Sequence, residues 1–219
     1  MDILHLLNST FGFIQRVLEL DERAWKRVVG IGRQLIGRGE PQQSYENLSL
    51  AVELELCDVR GRRAVIRRKQ RVRFLSDEAG VVRDVIWGEG ETLAGYRVEG
   101  AKKLSVRQEG SKKVVLLGLP ANPAKGASVT LKTERIIRGG FRPDEGYLEV
   151  VVERPTRRLR LSVLFPRGRP PKHARVETSP PALAAHPVAL RLTADGRTYA
   201  TWPVVEPKHL VTYRVCWSW

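Results

Sequence analysis

Hydrophobic and polar residues alternate most regularly between Leu48 and Leu56. Apolar residues occupy the even positions and polar or small residues the odd ones, which is the pattern of a half-buried β-strand. After turn residues 58–62, a second extended run continues to Leu75 with apolar residues again mainly on the even positions. The two runs are predicted to form a hairpin in which Glu53 lies near Arg67.

The odd positions of the second run carry a row of cations. They are Arg63, Arg67, Lys69, Arg71 and Arg73. Because the first run offers only Glu53 and Glu55 to them, most of the row is predicted to lack a carboxylate partner. The row is therefore either a solvated face or a surface that contacts an anionic partner. Arg68 and Gln70 interrupt the apolar side, which predicts a bulge or a strand that extends past the edge of its sheet.

Short alternating runs separated by turn signals continue from Tyr45 to the end of the chain. They predict a mainly β domain over residues 41–219, an antiparallel β-sandwich of roughly ten strands. One hairpin is predicted around the Asp195-Gly196 turn, and another joins Tyr147–Glu153 to Arg158–Phe165. The alternation in Val211–Trp219 predicts a last strand that belongs to the core.

Residues 1–40 have a different pattern, in which apolar residues recur at three- and four-residue steps. This pattern predicts a helical amino-terminal segment. The segment either packs over the open end or a face of the sandwich or docks on a partner, because an apolar stripe of this size is not stable in water. Its candidate docking residues are Leu7, Phe11, Ile14 and Trp25.

The chain of 219 residues has a formal net charge of +14, which attracts nucleic acid, acidic proteins and anionic membranes. A second basic tract lies between Glu153 and Glu177 and holds eight Arg or Lys residues and no acid. Aromatic residues are scarce near both tracts, which favours contacts with phosphates or with an acidic protein over readout of bases. The candidate anion-binding residues of the second tract are Arg158, Arg160, Arg167 and Arg169.

Motifs that carry catalysis are absent from the sequence: there is no nucleophile elbow, no zinc-binding helix with paired histidines and no cysteine knuckle. We predict no catalytic residue, no metal and no cofactor. The alternative, a metal-dependent enzyme, would depend on His173, His186 and His209. Two cysteines and no secretory signal predict a cytoplasmic protein, and no apolar run approaches the roughly 20 residues that a membrane span needs.

Taken together, these features predict a non-enzymatic binding or regulatory module of a larger assembly, with a protein as the favoured partner. A sequence-nonspecific nucleic-acid-binding protein that uses the arginine-rich strand is the alternative. The carboxy-terminal spacing of Tyr213, Trp217 and Trp219 resembles that of sandwich modules attached to bacterial signalling or defence proteins, and the resemblance implies such a setting.

Overall fold

A computed structural model describes residues 44–77, 80–87, 91–141, 144–179 and 185–219. The predicted helical segment 1–40, with Leu7, Phe11, Ile14 and Trp25, lies outside the described residues. Within them the chain is mainly β, as predicted, and no helix occurs, so none is available to cross a membrane. The strands are β1 (Tyr45–Leu56), β2 (Arg63–Phe74), β3 (Val81–Ile86), β4 (Glu91–Glu99), β5 (Lys102–Glu109), β6 (Lys112–Gly118), β7 (Ser128–Arg138), β8 (Glu145–Val151), β9 (Arg158–Leu164), β10 (His173–Ser179), β11 (His186–Pro187), β12 (Leu190–Leu192), β13 (Thr198–Val205) and β14 (Thr212–Ser218).

Strands β1 and β2 form the predicted hairpin. Asp58 closes it, because its carboxylate accepts hydrogen bonds from the backbone amides of Arg60 and Arg63, both at 2.8 Å. Gly61 adopts a φ of 66°, a conformation that glycine allows at little cost. The pairing sets Glu53 opposite Arg67, which confirms the predicted register.

A bulge in β1 changes which of its residues face the core. The register shifts between Asn47 and Ser49, so the buried positions are Tyr45 and Asn47 before the bulge and Leu50 onwards after it. Leu48 is only half-buried, and the prediction that it shares the core side with Leu50 is wrong. Because residue types alternate uniformly through β1, the sequence does not show that the buried side changes from odd to even positions at the bulge.

The strands form three sheets. The largest has seven strands in the order β12-β13-β9-β1-β2-β7-β4, the second has the order β11-β10-β14-β8, and the third has the order β3-β6-β5. Strand β1 pairs with β9 in parallel, whereas the other pairs of named strands are antiparallel. The prediction of a wholly antiparallel arrangement is therefore wrong at this pair. The described residues form fourteen strands, where about ten were expected.

Of the two other predicted hairpins, one forms and one does not. Strands β12 and β13 pair around Asp195-Gly196 as predicted. Strands β8 and β9 are consecutive in the chain but pair with β14 and β1 respectively, so they do not form a hairpin. Glu153, at the end of the first run of this predicted hairpin, binds the ammonium group of Lys112 at 2.8 Å.

Two hydrophobic clusters use the inner face of the seven-stranded sheet. The first joins its β1 and β9 residues to those of the four-stranded sheet, and Trp217 lies within it at 1% exposure. The second joins the far end of β2, with Val72 and Phe74, to Val82 and Leu117 of the three-stranded sheet. The predicted core contributions of β1 and of the last strand are confirmed by Leu54 and Trp217.

Candidate anion-binding face and inner cleft

The outer face of the seven-stranded sheet brings together cations from both basic tracts. Lys69 of β2 lies opposite Ala51 of β1, and Ala51 in turn lies opposite Arg160 of β9. Since neighbouring strands are about 4.8 Å apart, Lys69 and Arg160 are on the order of 10 Å apart across the small side chain of Ala51. Arg71 and Arg158 occupy the next position of the same face on their strands.

We call Lys69, Arg71, Arg158 and Arg160 the cationic patch. All four side chains are exposed, and none of them forms an ion pair with a carboxylate of the described residues. Lys69 and Arg160 also line a shallow groove of about 460 Å³ on this face, together with Arg97 of β4 and Lys132 of β7. The patch thus offers several charge-assisted hydrogen bonds to one anionic partner.

Arg67 interrupts the predicted row because carboxylates from two strands surround it. Its guanidinium lies 3.3 Å from Glu53, 2.6 Å from Glu55 and 3.0 Å from Glu134. Glu134 belongs to β7, so a strand outside the β1–β2 hairpin also supplies an acid to this row. Because its Nε and Nη1 groups bind these three carboxylates, Arg67 is a structural member of the face rather than part of the patch.

The remaining predicted cations lie apart from the patch or are paired. Arg73 binds Glu46 at 2.5 Å, and Arg63 lies opposite Arg138 near the β1–β2 turn. Arg167 donates to the backbone carbonyl of Asp195. Arg169 stacks on the Trp219 ring at 4.2 Å and donates to the Val59 carbonyl at 2.8 Å. These contacts hold the loop that follows β9.

Glu55 should make the stability of this face sensitive to acid. Burial favours a higher pKa for its carboxyl, but hydrogen bonds from Arg67 and Arg197 outweigh burial and hold the pKa below its usual 4.5. The resulting stabilisation is complete above the unfolded-state pKa and is lost as pH falls through the lower folded-state pKa. We therefore expect the free energy of unfolding, measured by urea denaturation, to fall in this acidic range.

The variant Glu55→Gln should show a flatter pH profile in that range. Glu99→Gln is the control, because Glu99 forms an exposed ion pair with Lys132 at the sheet surface. Superimposable profiles of the parent protein and Glu55→Gln would contradict the assignment.

The three late histidines do not assemble. His173 lies in β10, His186 lies in β11, and both are exposed. His209 lies beyond β13, where its ring contacts the carbonyl of Glu153 at 3.2 Å. In the part of the chain that the structure describes, no three His, Cys, Asp or Glu side chains lie close enough to hold a metal ion. The arrangement does not support the metal site considered from the sequence.

Arg68 and Gln70 have a different role from the one predicted. Strand β2 is central in its sheet and has no register shift at these residues, so the expected bulge or strand edge is wrong. Both side chains face inward, where they separate the two hydrophobic clusters and line a cavity of about 470 Å³. We call this cavity the inner cleft.

A buried polar network forms one wall of the inner cleft. Arg68 Nη1 donates to Asp84 Oδ1 at 2.9 Å, and the Tyr96 hydroxyl donates to Asp84 Oδ2 at 2.8 Å. Burial, followed by the nearby negative charge of Asp84, raises the pKa of Tyr96 well above its usual value, so the phenol stays protonated. Gln70 continues the polar wall by donating to Asn47 at 2.6 Å.

Sequence reasoning did not identify the inner cleft as a site. The signal was present in the two polar residues that interrupt the apolar side of β2. Asp84, the partner of Arg68, comes from a different sheet, so its position could not be obtained from the local pattern.

No known protein family matches the chain, and no curated protein has a significantly similar sequence. Among solved structures, the chain is similar to a putative protease from Parabacteroides distasonis, with a TM-score of 0.50 and 12% identity over 80% of this chain and 40% of that one. An M1 zinc metallopeptidase from Deinococcus radiodurans has a TM-score of 0.41 and 15% identity over 80% of this chain and 42% of its own. The first similarity is one of fold alone, and the chain spans less than half the length of either protein.

Proposed function

We propose that this chain is a non-enzymatic β-sandwich module that binds an acidic segment of a protein partner within a larger assembly. The observation that carries the proposal is the cationic patch, in which Lys69, Arg71, Arg158 and Arg160 share one face without carboxylate partners among the described residues. Folding does not require such a concentration of like charge, because unpaired cations on neighbouring strands repel one another.

The shape of the patch favours a protein partner over nucleic acid. A nucleic-acid backbone is matched by an extended stripe of cations, whereas here Arg67 and its three carboxylates border the patch along β2. Strands β2 and β9 also present no aromatic ring on this outer face for a base to stack on. A short acidic segment of a protein needs neither an extended stripe of cations nor an aromatic ring to bind.

The fold of this chain is similar to part of a longer protein, which is consistent with the proposal that the chain is a module of a larger assembly. The region shared with the putative protease amounts to 40% of that protein, so a β-region of this kind occurs there beside further sequence. A module of this type would supply a binding surface to the assembly that contains it.

Charge reversal at the patch should weaken binding of a fluorescent oligoglutamate peptide, measured by anisotropy at low salt. We expect roughly a tenfold loss for the double variant Arg71→Glu and Arg160→Glu. Two exposed ion pairs contribute up to about 1 kcal/mol each, and about 1.4 kcal/mol corresponds to a factor of ten.

The matched control is Arg107→Glu with Arg191→Glu, which changes the net charge equally on exposed residues of β5 and β12. Equal weakening by both double variants would mean that net charge alone attracts the peptide and would overturn the proposal. Tight binding of mixed-sequence DNA that survives physiological salt and depends on Arg71 and Arg160 would instead establish the nucleic-acid function.

A further inference from the structure

Two exposed apolar residues of β13 lie directly beside the cationic patch. Pro203 lies opposite Arg160 of β9. Two residues further along β13, Val205 lies opposite Arg158. Directly opposite side chains of an antiparallel pair share a face of the sheet, with Cβ atoms about 4.5–5.5 Å apart. The adjacent Val204 packs against the core, so Pro203 and Val205, which we call the apolar flank, point outward with the patch.

The apolar flank is open to solvent. Val205 is 77% exposed, and Pro203 is exposed as well. Strand β12 pairs only with residues 198–200 of β13, so no described strand lies beyond the flank. A single exposed valine is ordinary on a protein surface. The position of this one matters because protein interfaces combine apolar contacts with charged groups that steer the partner, and here both occur side by side.

The spacing of the strands defines the segment that fits both features. In the order β13-β9-β1-β2, the cations of β9 lie about 5 Å from the flank and those of β2 about 14 Å from it. An extended peptide that crosses the strands places side chains on one face every 6.6 Å or so. With an apolar side chain on the flank, the second residue after it lies near Arg158 and Arg160. The fourth residue lies near Lys69 and Arg71.

We propose that the apolar flank and the cationic patch together bind one extended segment of the partner, in which acids lie two and four residues from a large apolar residue. This inference rests on the proposed function, because the acids of the segment bind the patch. It adds that the partner is recognised by its apolar residue as well as by its charge.

The first test compares two fluorescent peptides of equal length and charge, Leu-Glu-Glu-Glu-Glu-Glu-Leu and Ser-Glu-Glu-Glu-Glu-Glu-Ser, by anisotropy with the whole protein. Leucine stands at both ends so that either peptide direction places one leucine on the flank. We expect the leucine peptide to bind roughly fivefold more tightly, because its side chain buries apolar surface. The ratio should persist at physiological salt, although screening weakens both peptides. Equal affinities, or a ratio that salt abolishes, would overturn the inference.

The second test is the variant Val205→Ser, which should remove the preference for leucine and leave the affinity for the serine peptide unchanged. Leu192→Ser is the matched control, because Leu192 is 78% exposed but pairs with Thr198 at the far end of β13. This control should keep the preference of the parent protein. An unchanged preference in a Val205→Ser variant that circular dichroism shows to be folded, or an equal loss in Leu192→Ser, would remove the flank from the site.

The double variant Arg71→Glu and Arg160→Glu separates this inference from the proposed function. If both peptides bind equally well and both lose affinity in the double variant, the proposed function stands and the inference fails. If neither peptide binds the parent protein, or binding does not depend on these two arginines, the proposed function and the inference both fail.

Discussion

Truncation of Trp217 to alanine should lower the free energy of unfolding by about 3–5 kcal/mol. The side chain is 1% exposed in the larger cluster, where its ring contacts Phe141 and Phe165 at centroid distances of 5.9 and 5.5 Å. Removing the indole leaves a cavity. The surrounding strands can close it only partly, because backbone hydrogen bonds hold them in place. Urea denaturation monitored by circular dichroism measures the change.

Tyr147→Ala is the matched control, because Tyr147 pairs with Cys216 beside Trp217 but is 52% exposed. Truncation of Tyr147 should lower the free energy of unfolding by well under half of the decrease expected for Trp217→Ala. A loss below about 1 kcal/mol for Trp217→Ala would show that the last strand is not part of the core.

Gly146 provides an independent check on the same contact. A Cβ atom there would lie 2.3 Å from Cζ2 of Trp217, so Gly146→Ala should cost about 1–3 kcal/mol by overpacking. In the Trp217→Ala background the obstacle is gone, and the same substitution should be nearly neutral. Additive losses in the double variant would contradict the packing described here.

Removal of the Asp84 carboxylate should be the second large effect, with a loss of about 3–5 kcal/mol for Asp84→Ala. The Asp84 side chain is 5% exposed and its partner Arg68 17% exposed, so the substitution leaves a buried guanidinium without its counter-charge. The Tyr96 hydroxyl loses its acceptor at the same time. Chemical denaturation at neutral pH measures the loss.

Two comparisons test whether the loss comes from the unpaired charge of Arg68 or from any substitution in this part of the three-stranded sheet. Glu109→Ala breaks the neighbouring but more exposed pair of Arg83 and Glu109, and it should cost no more than about 1 kcal/mol. Asp84→Leu combined with Arg68→Met removes both buried charges and should recover most of the loss. If the double variant is as unstable as Asp84→Ala, the cost does not come from an unpaired charge.

The sequence alone was sufficient to predict most of the local β-structure. Alternation of residue types reflects the two-residue repeat of a strand, which is a local property, so the β1–β2 hairpin and the buried Trp217 were predicted correctly. The pattern is less clear at β4, because the glycine and glutamate residues at positions 88–91 are typical of a turn.

Strand partners and the two sites depended on the tertiary structure. Alternation is the same whether a strand pairs in parallel or antiparallel. Nothing in the pattern of β9 therefore indicated that it lies beside β1 and carries Arg160 to the same face as Lys69, across Ala51.

The same reason explains why the inner cleft could not be predicted from the sequence. Arg68 is a defect in the pattern of a single strand, and it becomes part of a buried pair only because the three-stranded sheet brings Asp84 to it. The sequence by itself thus determined where strands form and which residues are charged. The long-range pairing of strands decided which charges meet, because contacts between residues distant in the chain are set by the packing of whole sheets.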